Sequence, residues 1–172
     1  MKAHSFIYLI IYSCFIMSVS LQAQEHFADR YNVSYITMDD GLPHNFIDDI
    51  YKDTRGFLWI STAGGGLSRY DGYEFIHFNP NTPHSKLKSN FIHNVYEDRF
   101  HRLWIVSEGG TDIIDLSTLQ SVIPNDPKGL LPRFINHPTY IVILDSQGCI
   151  WLQCDNALHR ITFDAEGGID TL

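Results

Sequence analysis

The residues best suited to chemistry in this 172-residue sequence do not form a catalytic pattern. Asp48 and Asp49 are adjacent carboxylates, but neighbouring side chains on a strand point to opposite faces, so they make a poor acid–base pair. The nine histidines show no metal-ligand spacing such as His-x-x-x-His. The sequence contains neither a Gly-x-Ser-x-Gly nucleophile motif nor a phosphate-binding loop. We therefore predict no catalytic residues, no metal site and no cofactor.

One spacing recurs three times and uses all three tryptophans of the chain. An aspartate stands six residues before each tryptophan, and the tryptophans are 45 and then 47 residues apart. The pairs are Asp53 and Trp59, Asp98 and Trp104, and Asp145 and Trp151. Gly56 and Gly148 lie between the two residues of their pair, where the second copy has His101. Aspartate bonds to turn backbone and glycine accepts a positive φ, so each copy predicts a hairpin turn, which His101 would strain.

The surroundings of this turn predict four short strands in each copy. In the first copy, residues 46–52 and 57–62 would form a hairpin, glycines 64–66 would reverse the chain, and residues 67–71 and 74–78 would complete a sheet. Four strands in a period of about 45 residues are typical of a β-propeller blade. One large ring per copy can fill the space between neighbouring blades, so the repeated Asp, Gly and Trp residues are expected to be structural.

The fold prediction is therefore all-β: a partial β-propeller of about three four-stranded antiparallel blades, with an additional N-terminal strand. The predicted segments are a signal peptide (1–23), a strand that would close a propeller ring (24–40), and three blades (41–80, 86–124 and 134–172), the last of which can be incomplete. A half-circle of blades would leave open sheet edges, which favour association with further blades or with a second chain.

Four polar residues are candidates for ligand binding: His44, Asn45, Asn90 and His137. They precede the predicted innermost strands, and loops at one rim of a propeller converge on the channel where ligands usually bind. Sugars favour aromatic platforms with planar polar partners. The alternative is a role in capping and turns, which asparagine often has.

The net charge, the N-terminal segment and the cysteines limit the possible partners, location and disulfides of the protein. A formal net charge of −8 lacks the basic face that a nucleic-acid partner needs. The weakly basic start, the apolar run Phe6–Val19 and the small residue Ala23 predict export, although an uncleaved anchor stays an alternative. Cys149 and Cys154 would lie about 16 Å apart on one strand, which is too far for a disulfide.

The first copy resembles the two-component regulator propeller repeat. The resemblance is carried by Asp40–Asn45, Gly56–Ile60, Gly65–Leu67 and Arg69–Gly72, is good in the second copy, and is partial in the third, where Asp155 and Asn156 replace the glycine pair. Such repeats form the periplasmic sensor region of hybrid two-component histidine kinases common in Bacteroidetes, in which seven blades form a ring.

The resemblance implies a periplasmic sensor fragment that binds oligosaccharides released during polysaccharide breakdown. The kinase, membrane helix and DNA-binding domain of that family are not recognisable in this sequence, so no enzymatic activity is expected. Expected partners are an oligosaccharide and the remaining blades or a second chain, with membrane contact only through segments outside this sequence or an uncleaved signal. The alternatives are part of a secreted propeller lyase or glycoside hydrolase, and a protein-interaction scaffold.

Overall fold

The computed structural model describes residues 33–83 and 86–171. The predicted signal peptide and residues 24–32 of the predicted N-terminal strand lie outside these residues. Residues 33–37 are in neither helix nor strand, and Met38–Asp40 form a 3-10 helix that ends at Gly41. A strand does not reach residue 40, because Thr37 and Asp40 bond reciprocally as a capping box and turn the chain. The ring-closing role of this segment stays a prediction.

Three antiparallel sheets, of four, three and four strands, make up the described structure. In each sheet the strands follow one another in chain order, as short hairpin connections require. The all-β, blade-like fold predicted from the sequence is confirmed. The strands are β1 (Ile47–Lys52), β2 (Leu58–Thr62), β3 (Gly66–Tyr70) and β4 (Phe75–Phe78), then β5 (Ile92–Glu97), β6 (Arg102–Ser107) and β7 (Gly110–Asp115), then β8 (Thr139–Leu144), β9 (Ile150–Cys154), β10 (Ala157–Phe163) and β11 (Ile169–Thr171).

The second sheet has three strands where four were predicted. Beyond β7 the chain turns back, and Val122 N–H still donates to the Ile113 carbonyl at 2.9 Å. Pairing is then limited to one bridge between Ile114 and Ser121. Pro124 follows at once, and because proline has no N–H to donate, the segment leaves the sheet edge. A short helix, α1 (Pro132–Ile135), precedes the third sheet.

The sheets stack in chain order through their tryptophan faces. Trp59 shares a buried cluster with Val95 and Ile105 of the second sheet. Trp104 shares a second buried cluster with Val142 of the third sheet. Removing an indole from water buries roughly 150–250 Å², worth about 4–6 kcal/mol each. Trp151 is half-buried, and the Arg160 guanidinium lies 5.8 Å from the centroid of its ring.

The two cysteines of the described region form no disulfide, as predicted. Cys149 and Cys154 are both buried. Cys149 precedes β9 and Cys154 ends it, so the length of this strand separates them. They act as small packing groups within the third sheet.

Candidate functional site

Each repeated aspartate fixes its hairpin turn and its tryptophan at the same time. Asp53 Oδ1 accepts hydrogen bonds from two turn N–H groups, of Arg55 at 3.0 Å and of Phe57 at 2.9 Å. Its Oδ2 accepts from Trp59 Nε1 at 2.9 Å. The same indole bond is 2.8 Å long from Trp104 to Asp98 and from Trp151 to Asp145. The six-residue spacing therefore has a structural cause, since one carboxylate satisfies both the turn and the buried indole.

The second copy adds a buried ion pair, whereas the arginine beside the third copy's aspartate, Arg160, lies 3.7 Å away at a partly exposed site. Arg102 Nε donates to Asp98 Oδ2 at 2.7 Å, and both side chains are buried. Arg102 also donates to the Gly167 carbonyl of the third sheet at 2.7 Å. The pair therefore joins the second and third sheets in addition to closing its own turn.

His101 occupies the position of the turn glycine with a φ of +58°, as the sequence predicted. Its Nδ1 lies 2.9 Å from Glu97 Oε1. The buried Glu97 carboxylate also accepts from Thr54 N and Thr54 Oγ1 in the first sheet, both at 2.7 Å. This contact network joins the turns of the first two sheets and compensates part of the backbone strain at His101.

A fourth copy of the turn escaped the sequence analysis. Asp164 Oδ1 accepts from Glu166 N at 2.9 Å and Gly168 N at 2.7 Å, between β10 and β11. Gly167 takes the positive-φ position, with φ +84°. The segment Asp164–Gly167 has the aspartate and glycine of this turn, but no tryptophan stands six residues after Asp164, so the complete spacing is absent there.

The first strands of the three sheets lie side by side and are joined by side-chain hydrogen bonds. Asp49 on β1 accepts from Val95 N on β5 at 3.0 Å and from the Asn94 side chain at 2.9 Å. Asn94 in turn accepts from Val142 N on β8 at 3.2 Å. The corresponding residue of β8 is Ile141, which cannot accept a hydrogen bond. The three sheets therefore meet along β1, β5 and β8.

Two of the predicted ligand-binding residues, Asn90 and His137, lie at corresponding places beside a turn of the preceding sheet. Gly66 N donates to the Asn90 carbonyl at 3.0 Å, and a side chain on Gly66 would overlap the Phe78 carbonyl. A Cβ on Gly110 would likewise overlap the Ile135 carbonyl and lie 3.3 Å from that of His137. Both glycines have positive φ, so only glycine allows this close approach. We call the segments that precede β1, β5 and β8, with the turns beside them, the rim.

The other two predicted residues are engaged in local structure. His44 Nδ1 accepts from Phe46 N at 3.0 Å, and Asn45 Oδ1 accepts from Met38 N at 3.1 Å. Both side chains are nevertheless exposed, as is the His137 ring, whose Nδ1 is 3.5 Å from Asp155 Oδ2. The ligand-binding role of these residues stays a prediction.

The sequence analysis also missed a row of residues at β-bulges. The register of the first strand shifts at Asp48 in β1, at His93 in β5 and at Tyr140 in β8. Each of these residues stands eleven positions before its repeat tryptophan, but the three residue types differ, so the sequence marks the position with no common residue. The His93 and Tyr140 rings are 5.2 Å apart. We call Asp48, His93 and Tyr140 the inner row.

Burial and hydrogen bonding shift a few charged groups. The Trp151 N–H, with backbone N–H groups, holds the pKa of Asp145 below its ordinary value of 3.8. Burial lowers the pKa of Lys88 and raises that of Asp112, which opposes their 3.6 Å ion pair. The Lys88 ammonium also donates to the Thr111 and Ile135 carbonyls, at 2.7 and 2.5 Å. These groups support the junction of β7 with α1. Over residues 33–83 and 86–171, no three His, Cys, Asp or Glu side chains are grouped so as to hold a metal.

Consecutive antiparallel sheets stacked along their first strands, each with the same aspartate-fixed turn, define a β-propeller. Residues 41–64 and 86–109 match the two-component regulator propeller family. The first two copies therefore match two-component regulator propeller repeats, and the resemblance predicted from the sequence is confirmed. No curated protein matches the chain.

Solved structures of B. thetaiotaomicron proteins are similar in fold. The extracellular domain of a protein assigned as a one-component system is 25% identical, with a TM-score of 0.58 over 77% of this chain. That of a protein assigned as a hybrid two-component system is 22% identical, with a TM-score of 0.62 over 79% of this chain. The chain spans 19% of the length of each. In the part of the chain that the structure describes, no helix has the length and apolar character to cross a bilayer.

Proposed function

We propose that this chain is part of the periplasmic, ligand-sensing propeller of a two-component receptor of the hybrid type, and that it binds oligosaccharides without cleaving them. The observation that carries the proposal is the match of two consecutive blades to regulator propeller repeats. The similarity in fold to extracellular domains of bacterial signalling proteins supports the location. The chain contributes recognition, and the remaining blades and the signalling domains come from outside this sequence.

The rim supports the choice of ligand. Phe46 and Phe91 stand at corresponding positions and are 64% and 51% exposed. Asn45 and Asn90 precede these rings directly. Exposed rings beside planar amides are the combination that stacks against a sugar ring and bonds to its hydroxyls.

The genomic reading frame tests the class of protein. We expect the DNA downstream to continue into further repeats, a membrane-spanning helix and a histidine kinase. A frame that continues into a lyase or glycosidase domain would replace the sensor proposal with that of a secreted enzyme.

Incubation with glycans tests the absence of cleavage. The full chain is mixed with neutral and acidic oligosaccharides, and new reducing ends and unsaturated products are measured. We expect binding by calorimetry and no new ends or products. Bond cleavage that persists after repurification of the protein would contradict the sensor proposal.

A further inference from the structure

The inner row lies where the three sheets meet. Asp48, His93 and Tyr140 are the extra residues of bulges in β1, β5 and β8, and those strands are the ones joined by Asp49 and Asn94. A bulge turns a side chain away from the alternation of its strand and is frequent next to functional sites. Three bulges at one position of three repeats therefore place three unlike side chains at corresponding points of adjoining strands.

The side chains of the inner row have capacity for a ligand. Asp48 is exposed, and Tyr140 is 48% exposed. His93 Nε2 is buried beneath the surface and has no hydrogen-bond partner among the described residues. A buried nitrogen without a partner is costly, and a ligand hydroxyl or a water that enters beside the Tyr140 ring would satisfy it. The row offers a carboxylate, an imidazole and a phenol, which are acceptors and donors suited to hydroxyl groups.

The residues that directly precede the first strands, and the turns beside them, carry carboxylates as their only Asp, Glu, Lys or Arg charges. The leading segments 44–46, 89–91 and 136–138, and the turns 63–65, 108–109 and 155–156, contain no lysine or arginine. They contribute two carboxylates, Glu108 and Asp155, and the inner row adds that of Asp48. Lys86 and Lys88 stand just before segment 89–91, and the Lys88 ammonium is directed to the Thr111 and Ile135 carbonyls and lies 3.6 Å from Asp112. An anionic ligand at the inner row would therefore meet repulsion from these carboxylates.

We infer that the inner row and the rim bind an uncharged, hydroxyl-rich oligosaccharide and reject uronate-containing or sulfated glycans. This inference rests on the proposed function and narrows its ligand class. The Asp48 carboxylate accepts from sugar hydroxyls, Tyr140 and the exposed rim phenylalanines stack on sugar rings, and the local negative charge discriminates against acidic chains.

The test is calorimetric titration of the full chain with two sets of hexasaccharides. The neutral set is mannohexaose, xylohexaose, cellohexaose and arabinohexaose, and the acidic set is hexagalacturonate and a heparin-derived hexasaccharide. We expect a member of the neutral set to bind at least tenfold more tightly than either acidic probe. Tighter binding of an acidic probe would overturn the inference and leave the proposed function standing, whereas no binding by any probe would overturn both.

Variants of the inner row test the placement of the site. We expect Asp48→Asn and Tyr140→Ala each to weaken binding of the neutral hexasaccharide about tenfold or more. Asp71→Asn, in the exposed turn after β3, is the matched control and should bind like the unaltered chain. Thermal melting checks folding, and Tyr140→Leu, which removes the ring but keeps apolar bulk, replaces Tyr140→Ala if the latter melts early. Unchanged affinity in both inner-row positions would overturn the placement.

Discussion

The aspartate of the second copy should be the most costly of the three to remove. Asp98 accepts from Trp104 Nε1 at 2.8 Å, from Arg102 Nε at 2.7 Å, and from two turn N–H groups. Asp53 makes the corresponding bonds without an arginine partner. Asp145 also has an arginine nearby, but its side chain is partly exposed and Arg160 lies 3.7 Å away. Substituting each of the three aspartates by alanine therefore removes the same turn motif from three different environments.

The magnitudes follow from what each substitution leaves behind. A buried indole N–H without an acceptor costs about 1–3 kcal/mol, and the lost turn bonds bring Asp53→Ala to about 2–3 kcal/mol. Asp98→Ala also leaves the buried Arg102 guanidinium unpaired, which costs about 3–5 kcal/mol when a buried pair is broken. Because these terms overlap, we expect a total of about 4–6 kcal/mol. Asp145→Ala should cost the least stability, because water reaches the Trp151 indole N–H and the turn N–H groups that lose their acceptor.

Urea denaturation followed by tryptophan fluorescence measures the three losses. Midpoints should fall in the order Asp145→Ala, Asp53→Ala, Asp98→Ala, from the smallest change to the largest, with similar slopes. Adding Arg102→Met to Asp98→Ala should recover part of the loss, because no buried charge then lacks a partner. Equal losses in the three variants, or a double variant no more stable than Asp98→Ala, would refute the reasoning.

Three further predictions concern the turns. His101→Gly should be about 1 kcal/mol more stable than His101→Ala in urea titration. Both variants lose the imidazole, but only alanine keeps the strain of a positive φ. Equal unfolding midpoints would exclude that strain. Gly110→Ala should lose much more stability in thermal melts than Gly129→Ala. An added Cβ at Gly110 overlaps the Ile135 carbonyl, whereas one at Gly129 meets open space. Similar melting temperatures would count against the close approach at Gly110. The pKa of Asp145 is lowered in the folded state, so the unfolded state binds more protons just below its ordinary value of 3.8. The free energy of unfolding should therefore drop as the pH falls through that range, and Asp145→Asn should flatten this slope in acid titrations; an unchanged slope would contradict it.

The sequence contained the local signals for most of the fold. The repeated aspartate, the turn glycine and the tryptophan act within a few residues of one another, so their spacing alone predicts the hairpins and the buried indoles. The strained turn at His101 was predictable for the same reason, since a non-glycine residue occupies a glycine position.

Features that depend on residues far apart in the sequence, or on strand register, could not be predicted from the local spacing. The missing fourth strand of the second sheet results from where Pro124 falls relative to the edge of β7. The hydrogen bond from Val142 N to Asn94 Oδ1 joins residues 48 positions apart. The inner row depends on bulges, which shift the register without a marker residue of their own. Of the candidate site, the sequence therefore suggested the rim residues, whose ligand-binding role stays a prediction, but not the row beside them.

Hydrogen exchange of the three indole N–H groups tests the stacked-blade architecture most directly. Each tryptophan gives its own indole signal in a ¹⁵N spectrum of the full chain, and substitution of each to phenylalanine assigns them. The structure predicts slow exchange for Trp59 and Trp104, which are fully buried between sheets, and faster exchange for the half-buried Trp151. Rapid exchange of Trp59 or Trp104, or equal rates for all three, would contradict the stacking of consecutive blades.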